Sequence, residues 1–190
     1  MQNKKLTFSP LTPENWQDFE TLFGEKGACG GCWCMWLRLK RSEYEAQKGE
    51  GNRRAMKALV ESGKTPGILA YHNAEPVAWC SISRREEYSV LSRSRNLKPI
   101  DKEPVWSIVC FFVAKSYRRK GVTNALVHAA VNFAKQQGAK IVEGYPIDPV
   151  NNNYPEVFAC PGLFSAFQKT GFIECARRSE TRPIMRYFIE

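Results

Sequence analysis

The chain has 190 residues, of which 43% are hydrophobic and 25% are charged. These values are typical of one globular domain with a buried core, and they exclude a disordered or collagen-like chain. Lysine and arginine outnumber aspartate and glutamate by 28 to 19, and the net charge of +9 favours an anionic ligand such as nucleic acid, an acidic membrane surface or a phosphorylated cofactor.

The first third of the chain predicts one strand and two helices. A short strand is expected at 5–8, and Thr12 and Pro13 then suit the cap and first turn of a helix that ends at Gly24. Residues 27–36 predict an irregular segment rich in glycine and cysteine. A second helix is expected at 52–62, before further glycines and a proline.

The middle of the chain predicts a hairpin and a buried strand. Residues 68–71 and 77–82 are strand-like, and a polar turn joins them. A basic, polar excursion with a short helix is expected at 84–102. The run at 105–113 is apolar, β-branched and aromatic, which predicts a central strand.

A basic turn follows that strand and leads into a helix. Arg118, Arg119 and Lys120 precede Gly121, and helical spacing then runs from Val122 to a stop at residue 138. A helix N-terminus offers N–H groups and a partial positive charge, and a glycine lets backbone approach a ligand closely. This pattern indicates a phosphate site, with an ordinary surface turn as the alternative. It is neither a Walker loop nor a dinucleotide fingerprint.

The last third predicts a strand at 140–145, a loop at 148–161, a short helix at 163–169 and strands at 172–175 and 184–189. Strands and helices therefore alternate after an early helical part. The pattern predicts an α/β or α+β fold with a mixed sheet in a single domain, 1–190.

The phosphate turn also carries a family resemblance. The sequence Arg-Arg-Lys-Gly-Val-Thr at 118–123 resembles the acyl-CoA signature of the GNAT superfamily of N-acetyltransferases. The strand that ends at 111–113 and the Gly-Phe turn near 167–172 agree with that superfamily, as does the order of elements from 6 to 189. The resemblance implies a mostly antiparallel central sheet of six to seven strands, flanked by helices and splayed at its central strands. Residues 32–36 and 143–148 resemble a bacterial branch of the superfamily.

The resemblance implies acetyl-CoA as the acyl donor. Backbone groups near Phe111 and Val113 would bind the pantetheine arm, and the turn would bind the pyrophosphate. The implied cofactor-binding residues are Phe111, Val113, Arg118, Arg119, Lys120, Gly121, Val122 and Thr123. An amine of a small molecule or a peptide would attack the thioester directly, without a covalent enzyme intermediate.

Three positions depart from the superfamily pattern. Thr123 stands where the signature has glycine or alanine, Ser107 stands where an acidic base is frequent, and Phe167 replaces a frequent tyrosine acid. Catalysis would then rest on proximity and on polarisation of the thioester by backbone N–H groups. The competing interpretation is a non-catalytic sensor that binds acyl-CoA.

Glu143 is the best remaining candidate for a base. It lies on the strand expected to flank the thioester, where its carboxylate could accept the amine proton. Ser107 could position a water, and Tyr145 and Tyr154 are candidate acids. The alternative for Glu143 is a structural ion pair with an arginine.

The irregular segment at 27–36 allows several interpretations. Cys29, Cys32 and Cys34 are close in sequence, but no fourth ligand is adjacent, so buried thiols are favoured and no metal is predicted. Its bulky residues either line an acceptor pocket or pack in the core. The substrate-binding candidates are Trp33, Met35 and Trp36.

Partners and location follow from weaker signals. Basic residues at 84–85 and 93–98 could contact nucleic acid, but no nucleic-acid module is recognisable, so that partner is disfavoured. No long apolar run and no secretory signal occur, and the seven cysteines cannot all pair. We therefore expect a cytoplasmic protein with reduced thiols that does not bind a membrane. A homodimer is expected by analogy with the superfamily alone.

Overall fold

The computed structural model describes residues 6–149 and 160–190, and its centre is a seven-stranded sheet. The strands are β1 Thr7–Pro10, β2 Gly67–His72, β3 Glu75–Arg84, β4 Trp106–Val113, β5 Ile141–Gly144, β6 Ile173–Arg177 and β7 Pro183–Phe188. The α-helices of the described residues are α1 Trp16–Phe23, α2 Arg41–Ala46, α3 Glu50–Glu61, α4 Ser89–Arg93, α5 Val122–Gln136 and α6 Phe164–Lys169.

The sheet has the order β1-β2-β3-β4-β5-β7-β6. Neighbouring strands are antiparallel except for β4 and β5, which are parallel and joined through α5. The expected mixed, mostly antiparallel sheet is confirmed. The parallel pairing covers only Trp106 to Ile108 on β4, so that strand runs on past the end of β5. The two central strands therefore separate there.

Two local features shape the strands next to this separation. Asn73 and Ala74 join β2 to β3, and both have positive φ, 53° and 63°. Two such residues are typical of a tight hairpin turn whose backbone twist matches the twist of the two strands. Ser81 and Ile82 are consecutive on β3, but they pair with Cys110 and Ile108 on β4. Val109 is therefore an extra residue on β4, and it forms a β-bulge. A bulge bends its strand and redirects side chains.

The core lies on both faces of the sheet. Ala78 and Cys80 of β3 face the cluster packed on α5, whereas Trp79 between them faces an aromatic cluster formed with α1 and α3. This alternation along a strand is the reason that one sheet supports two cores. A third buried cluster forms under the excursion after β3 and includes Tyr88, Leu91 and Tyr145.

Most element boundaries differ little from those expected. The first strand begins later than predicted, at Thr7, and the helix predicted at 52–62 begins at Glu50. The segment expected to be irregular is irregular at Gly27–Gly31: the N–H of Gly31 donates to the carbonyl of Lys26 at 2.8 Å, but Ala28 and Cys29 have non-helical backbone angles. Most of the predicted loop at 148–161, with Tyr154, lies outside the described residues. Within the described ranges, no helix is long and apolar enough to cross a membrane.

Candidate functional site

A cleft of about 610 Å³ opens where β4 leaves β5 and where α5 begins. Its lining combines the end of β4, the turn before α5, the start of α6 and part of the segment after α1. The lining residues are Ala28, Cys29, Phe111, Phe112, Val113, Tyr117, Arg118, Arg119, Gly121, Val122, Thr123, Asn124, Cys160, Gly162, Leu163 and Ala166. The predicted cofactor-binding residues are among them, apart from Lys120. The Nζ atom of Lys120 lies 5.5 Å from the ring centroid of Tyr117, which does line the cleft.

The turn before α5 forms part of the cleft wall and has an unusual backbone conformation. Arg119 and Gly121 both have left-handed backbone conformations, with φ of 59° and 76°. A glycine takes such a conformation without steric cost, which explains its place here. Arg118 donates from Nε to the carbonyl of Val113 at 3.0 Å, and this bond ties the turn to the end of β4.

The first turn of α5 faces the cleft with Val122, Thr123 and Asn124. The N–H groups of a first helical turn have no carbonyl partner inside the helix, and they carry the positive end of the helix dipole. The side chains of Arg118 and Arg119 add charge at the same place. The arrangement is chemically suited to a phosphate or pyrophosphate group.

Residues 160–162 contact β4 beyond the part of the strand that pairs with β5. The N–H of Phe111 donates to the carbonyl of Cys160 at 2.5 Å. Gly162 lies so close that an added Cβ would be 2.9 Å from the rings of Phe111 and Phe167. The backbone donor expected to bind a pantetheine arm is therefore satisfied by the protein itself in this structure.

Glu143 is buried among cations, with 1% of its surface exposed. Its Oε1 accepts from Nε of Arg186 at 2.8 Å, and its Oε2 accepts from Nη1 of Arg85 at 2.9 Å and from the hydroxyl of Tyr145 at 2.7 Å. The hydroxyl of Ser107 lies 2.8 Å from that of Tyr145. The three predicted catalytic residues thus lie together in one hydrogen-bonded group.

This buried network ties several elements together. Arg186 of β7 also binds Asp101 through both carboxylate oxygens, and these bonds hold the pKa of Asp101 below its usual value. Burial, and then the charge of Glu143, raises the pKa of Tyr145 well above its usual value, so its hydroxyl stays protonated. None of Glu143, Ser107 and Tyr145 is among the described residues that line the cleft.

The predicted substrate-binding residues take two different positions. Trp33 and Met35 are buried in the aromatic cluster, where the Trp33 ring stacks on Phe23 at a centroid distance of 5.6 Å. Trp36 is half exposed and meets Tyr44 edge to face at 5.1 Å. The same segment reaches the cleft through Ala28 and Cys29.

Phe167, at the position of the expected tyrosine, is fully buried in α6. Its ring meets Phe111 at 6.0 Å and Phe172 at 4.9 Å, both edge to face. Its ring also packs over Gly144, where an added Cβ would overlap it. A hydroxyl at this ring would therefore be surrounded by apolar atoms.

Three thiols form a chain from the aromatic core to the cleft. Cys110 of β4 lies near buried Cys34 on one side and near exposed Cys160 on the other, and Trp79 donates to the Cys34 sulfur at 3.2 Å. Sequence reasoning missed this chain because its members are far apart in sequence and carry no motif. Across residues 6–149 and 160–190, no group of three or more potential metal ligands is suitably placed.

Comparisons with known proteins agree with the fold. The model of the acetyltransferase (GNAT) family matches residues 33–153, which is more than half of the chain. A comparison with curated proteins finds no significant match.

Solved structures with the same fold include several GNAT-family acetyltransferases. One from Listeria monocytogenes 4b F2365 has a TM-score of 0.58 and 8% identity, over 97% of this chain and 95% of that one. One from Streptococcus agalactiae 2603 has a TM-score of 0.57 and 10% identity, over 97% and 96%. The PaiA N-acetyltransferase of Thermoplasma acidophilum, solved with coenzyme A, has a TM-score of 0.52 and 12% identity, over 97% and 99%.

Proposed function

Because the chain belongs to the GNAT acetyltransferase family, we propose that it transfers the acetyl group of acetyl-CoA to a primary amine, as a single domain spanning 1–190. One observation carries the proposal. The same cleft holds the arginine turn at the start of α5 and the side of β4 that β5 leaves open. The phosphate site suits the pyrophosphate of acetyl-CoA. The edge of β4 where it separates from β5 suits the pantetheine arm of the same molecule. The cleft volume also lies in the range of about 300–1,000 Å³ that is common for small-molecule sites.

Different residues of the cleft would bind different parts of acetyl-CoA. Arg118, Arg119 and the first N–H groups of α5 would hold the pyrophosphate, with Lys120 adding charge nearby and Thr123 offering a hydroxyl. Backbone groups near Phe111 and Val113 would bind the pantetheine arm. The Cys160 carbonyl must release the N–H of Phe111 for this, so the segment that contains it has to shift when donor binds.

In this proposal, side chains contribute little to the chemical step itself. Bound acetyl-CoA supplies a thioester, whose carbonyl carbon reacts with amines. The acceptor nitrogen attacks that carbon, the carbon–sulfur bond breaks, and the amine proton ends on the departing thiolate or in solvent. Proximity and backbone N–H groups near Phe111 lower the barrier. Glu143, Ser107 and Tyr145 contribute by fixing β4 against β5, since their network lies outside the cleft lining.

The acceptor side is formed by the segment after α1. Ala28 and Cys29 line the cleft, and Ala28 packs against the cluster that contains Trp33 and Met35. We infer that these two residues support the acceptor wall from behind, and that half-exposed Trp36 lies at its outer margin. A small molecule or a peptide amine fits this description. A cytoplasmic location, a homodimer and membership of a bacterial branch also belong to the proposal.

Calorimetry with acetyl-CoA tests the binding half of the proposal. Arg118→Glu places a negative charge beside the phosphate site, and we expect at least about tenfold weaker binding from the lost attraction. Lys64→Glu is the matched control, because Lys64 is exposed on the turn before β2 and outside the cleft. Absence of binding by the unmodified protein would overturn the proposal.

A second candidate function is a sensor that binds acyl-CoA without transferring the acyl group. The buried Phe167 at the usual tyrosine position and the enclosed Glu143 favour it. The two functions differ in the release of free coenzyme A during incubation with a broad panel of amines. Release above the hydrolysis background supports the transferase, whereas binding without release supports the sensor.

A further inference from the structure

The cleft wall contains a pair of thiols that acetyl transfer does not require. Cys160 is exposed, lines the cleft and lies near Cys110 on the neighbouring strand β4. Their main chains are adjacent as well, since the carbonyl of Cys160 accepts from the N–H of Phe111, the residue after Cys110. Buried Cys34 contacts Cys110 from the core side.

The surroundings make the two thiols chemically unequal. The neighbouring Cys110 thiol, helped by the charge of Arg182, lowers the pKa of Cys160 to about 7. The neighbouring thiols of Cys160 and Cys34, together with burial, raise the pKa of Cys110 well above its usual value. Cys110 also lowers the pKa of Cys34, but Cys34 is buried whereas Cys160 is exposed. Cys160 is therefore the nucleophile that an oxidant in solvent can reach, and Cys110 is the protonated neighbour.

We propose that Cys160 is a site of oxidation by hydroperoxides, that Cys110 resolves it to a disulfide, and that this disulfide closes the donor cleft. In the first step the Cys160 sulfur attacks one peroxide oxygen. The oxygen–oxygen bond breaks, and Cys160 becomes a sulfenic acid while hydroxide or alkoxide leaves and takes up a proton. In the second step the Cys110 sulfur attacks the oxidised sulfur, which releases water. The thiols lose two electrons in total, and the peroxide gains them.

The closing effect rests on the proposed function and on the contacts of the 160–162 segment. This segment satisfies the Phe111 N–H, and Gly162 lies close to the rings of Phe111 and Phe167. Acetyl-CoA needs the same side of β4, so the segment must move away when the donor binds. A covalent bond between Cys160 and Cys110 would hold it against the strand.

Peptide mapping tests the thiol chemistry without any ligand. The full chain is treated with hydrogen peroxide, its remaining thiols are alkylated, and the digest is analysed without reduction. We expect a peptide pair that links Cys110 to Cys160, and its loss in Cys160→Ser. A link between Cys34 and Cys110, or no link at all, overturns the proposal. Because Cys160 is exposed, its serine variant keeps this test valid even where Cys110→Ser does not fold.

Calorimetry tests the closing effect, with acetyl-CoA as the probe because it has no free thiol to reduce the disulfide. Oxidised protein should bind about tenfold more weakly or worse, a size typical of coupling between two events in one protein. A dithiol reductant should restore the affinity. Cys160→Ser should bind equally before and after peroxide, whereas Cys29→Ser, a thiol variant in the same cleft, should still lose affinity.

The outcomes separate this inference from the proposed function. If the reduced protein binds acetyl-CoA and the oxidised protein binds it equally well, the closing effect is overturned while the proposed function stands. If the reduced protein fails to bind, the proposed function and the closing effect are both overturned. Peptide mapping then still decides whether Cys160 and Cys110 pair.

Discussion

At Glu143, a single carboxylate accepts hydrogen bonds from two arginines and a tyrosine while only 1% of the residue is exposed. A buried charge persists only where partners replace water, and here Arg85, Arg186 and Tyr145 do so. The carboxylate joins β5 to β7 and to the excursion after β3. Its chemistry is set by these partners, of which the two arginines come from distant parts of the chain.

Removing this carboxylate should strongly destabilise the protein. Glu143→Ala leaves two arginines without their shared buried partner, and we expect a loss of about 3–5 kcal/mol in the free energy of unfolding. Urea unfolding measures it. Glu174→Ala is the control, because Glu174 pairs with Arg177 on the surface and such pairs contribute about 1 kcal/mol or less. Similar small losses for both variants would contradict the structural role of Glu143.

At the scale of elements, β5 and α6 meet through a glycine. An added Cβ at Gly144 would overlap the Phe167 ring, so the missing side chain sets how closely the helix approaches the strand. This contact also positions the start of α6, where Leu163, just before the helix, and Ala166 within it line the cleft.

A double-mutant cycle tests this contact. Gly144→Ala should cost about 1–3 kcal/mol of unfolding free energy through overpacking. Phe167→Leu should cost stability through lost packing, but the double variant should lose less than the sum of the two. The expected coupling is about 0.5–3 kcal/mol, measured by urea unfolding of all four proteins. Additive losses would mean that the two residues do not constrain each other.

The elements themselves were largely predictable from the sequence. The apolar run that became β4, the polar turn of the β2–β3 hairpin and the glycine before α5 each act through neighbouring residues, so local patterns identify them. The sequence allowed an ion pair between Glu143 and an arginine, but it could not identify Arg85 and Arg186, nor the proximity of Cys110 to Cys160. These depend on strand order and on residues far apart in sequence. Cleft residues such as Tyr117 and Leu163 carry no motif, and only the fold brings them to one place.

Across the whole molecule, several ionisable groups are buried in their neutral form. Burial raises the pKa of Tyr88 to about 12, and it raises the pKa values of Tyr145 and Cys80 well above their usual values. In the unfolded chain these groups ionise near pH 9 to 10. Between that pH and the higher native pKa, the unfolded state is stabilised by losing protons while the native state keeps them.

Stability should therefore be retained below about pH 9 and should fall as the pH rises further. Tyr88 alone accounts for up to about 3 kcal/mol between pH 10 and 12, at about 1.4 kcal/mol for each pH unit. Urea unfolding at a series of pH values measures the slope. Tyr88→Phe should show a shallower slope because it removes one of the groups. A flat profile up to pH 12 would contradict the burial of these groups.

The position of β7 has a consequence for how the chain acquires its fold during synthesis. This strand is made after β5 and β6, yet it lies between them and is hydrogen-bonded to both. A ribosome adds about 5–20 residues per second, so β5 spends an interval on the nascent chain with an unprotected edge. Unprotected edges attract other strands, and a chaperone that shields β5 during this interval would favour the correct order. The strand that completes the sheet is thus also the one that ends the exposure of its neighbours to foreign partners.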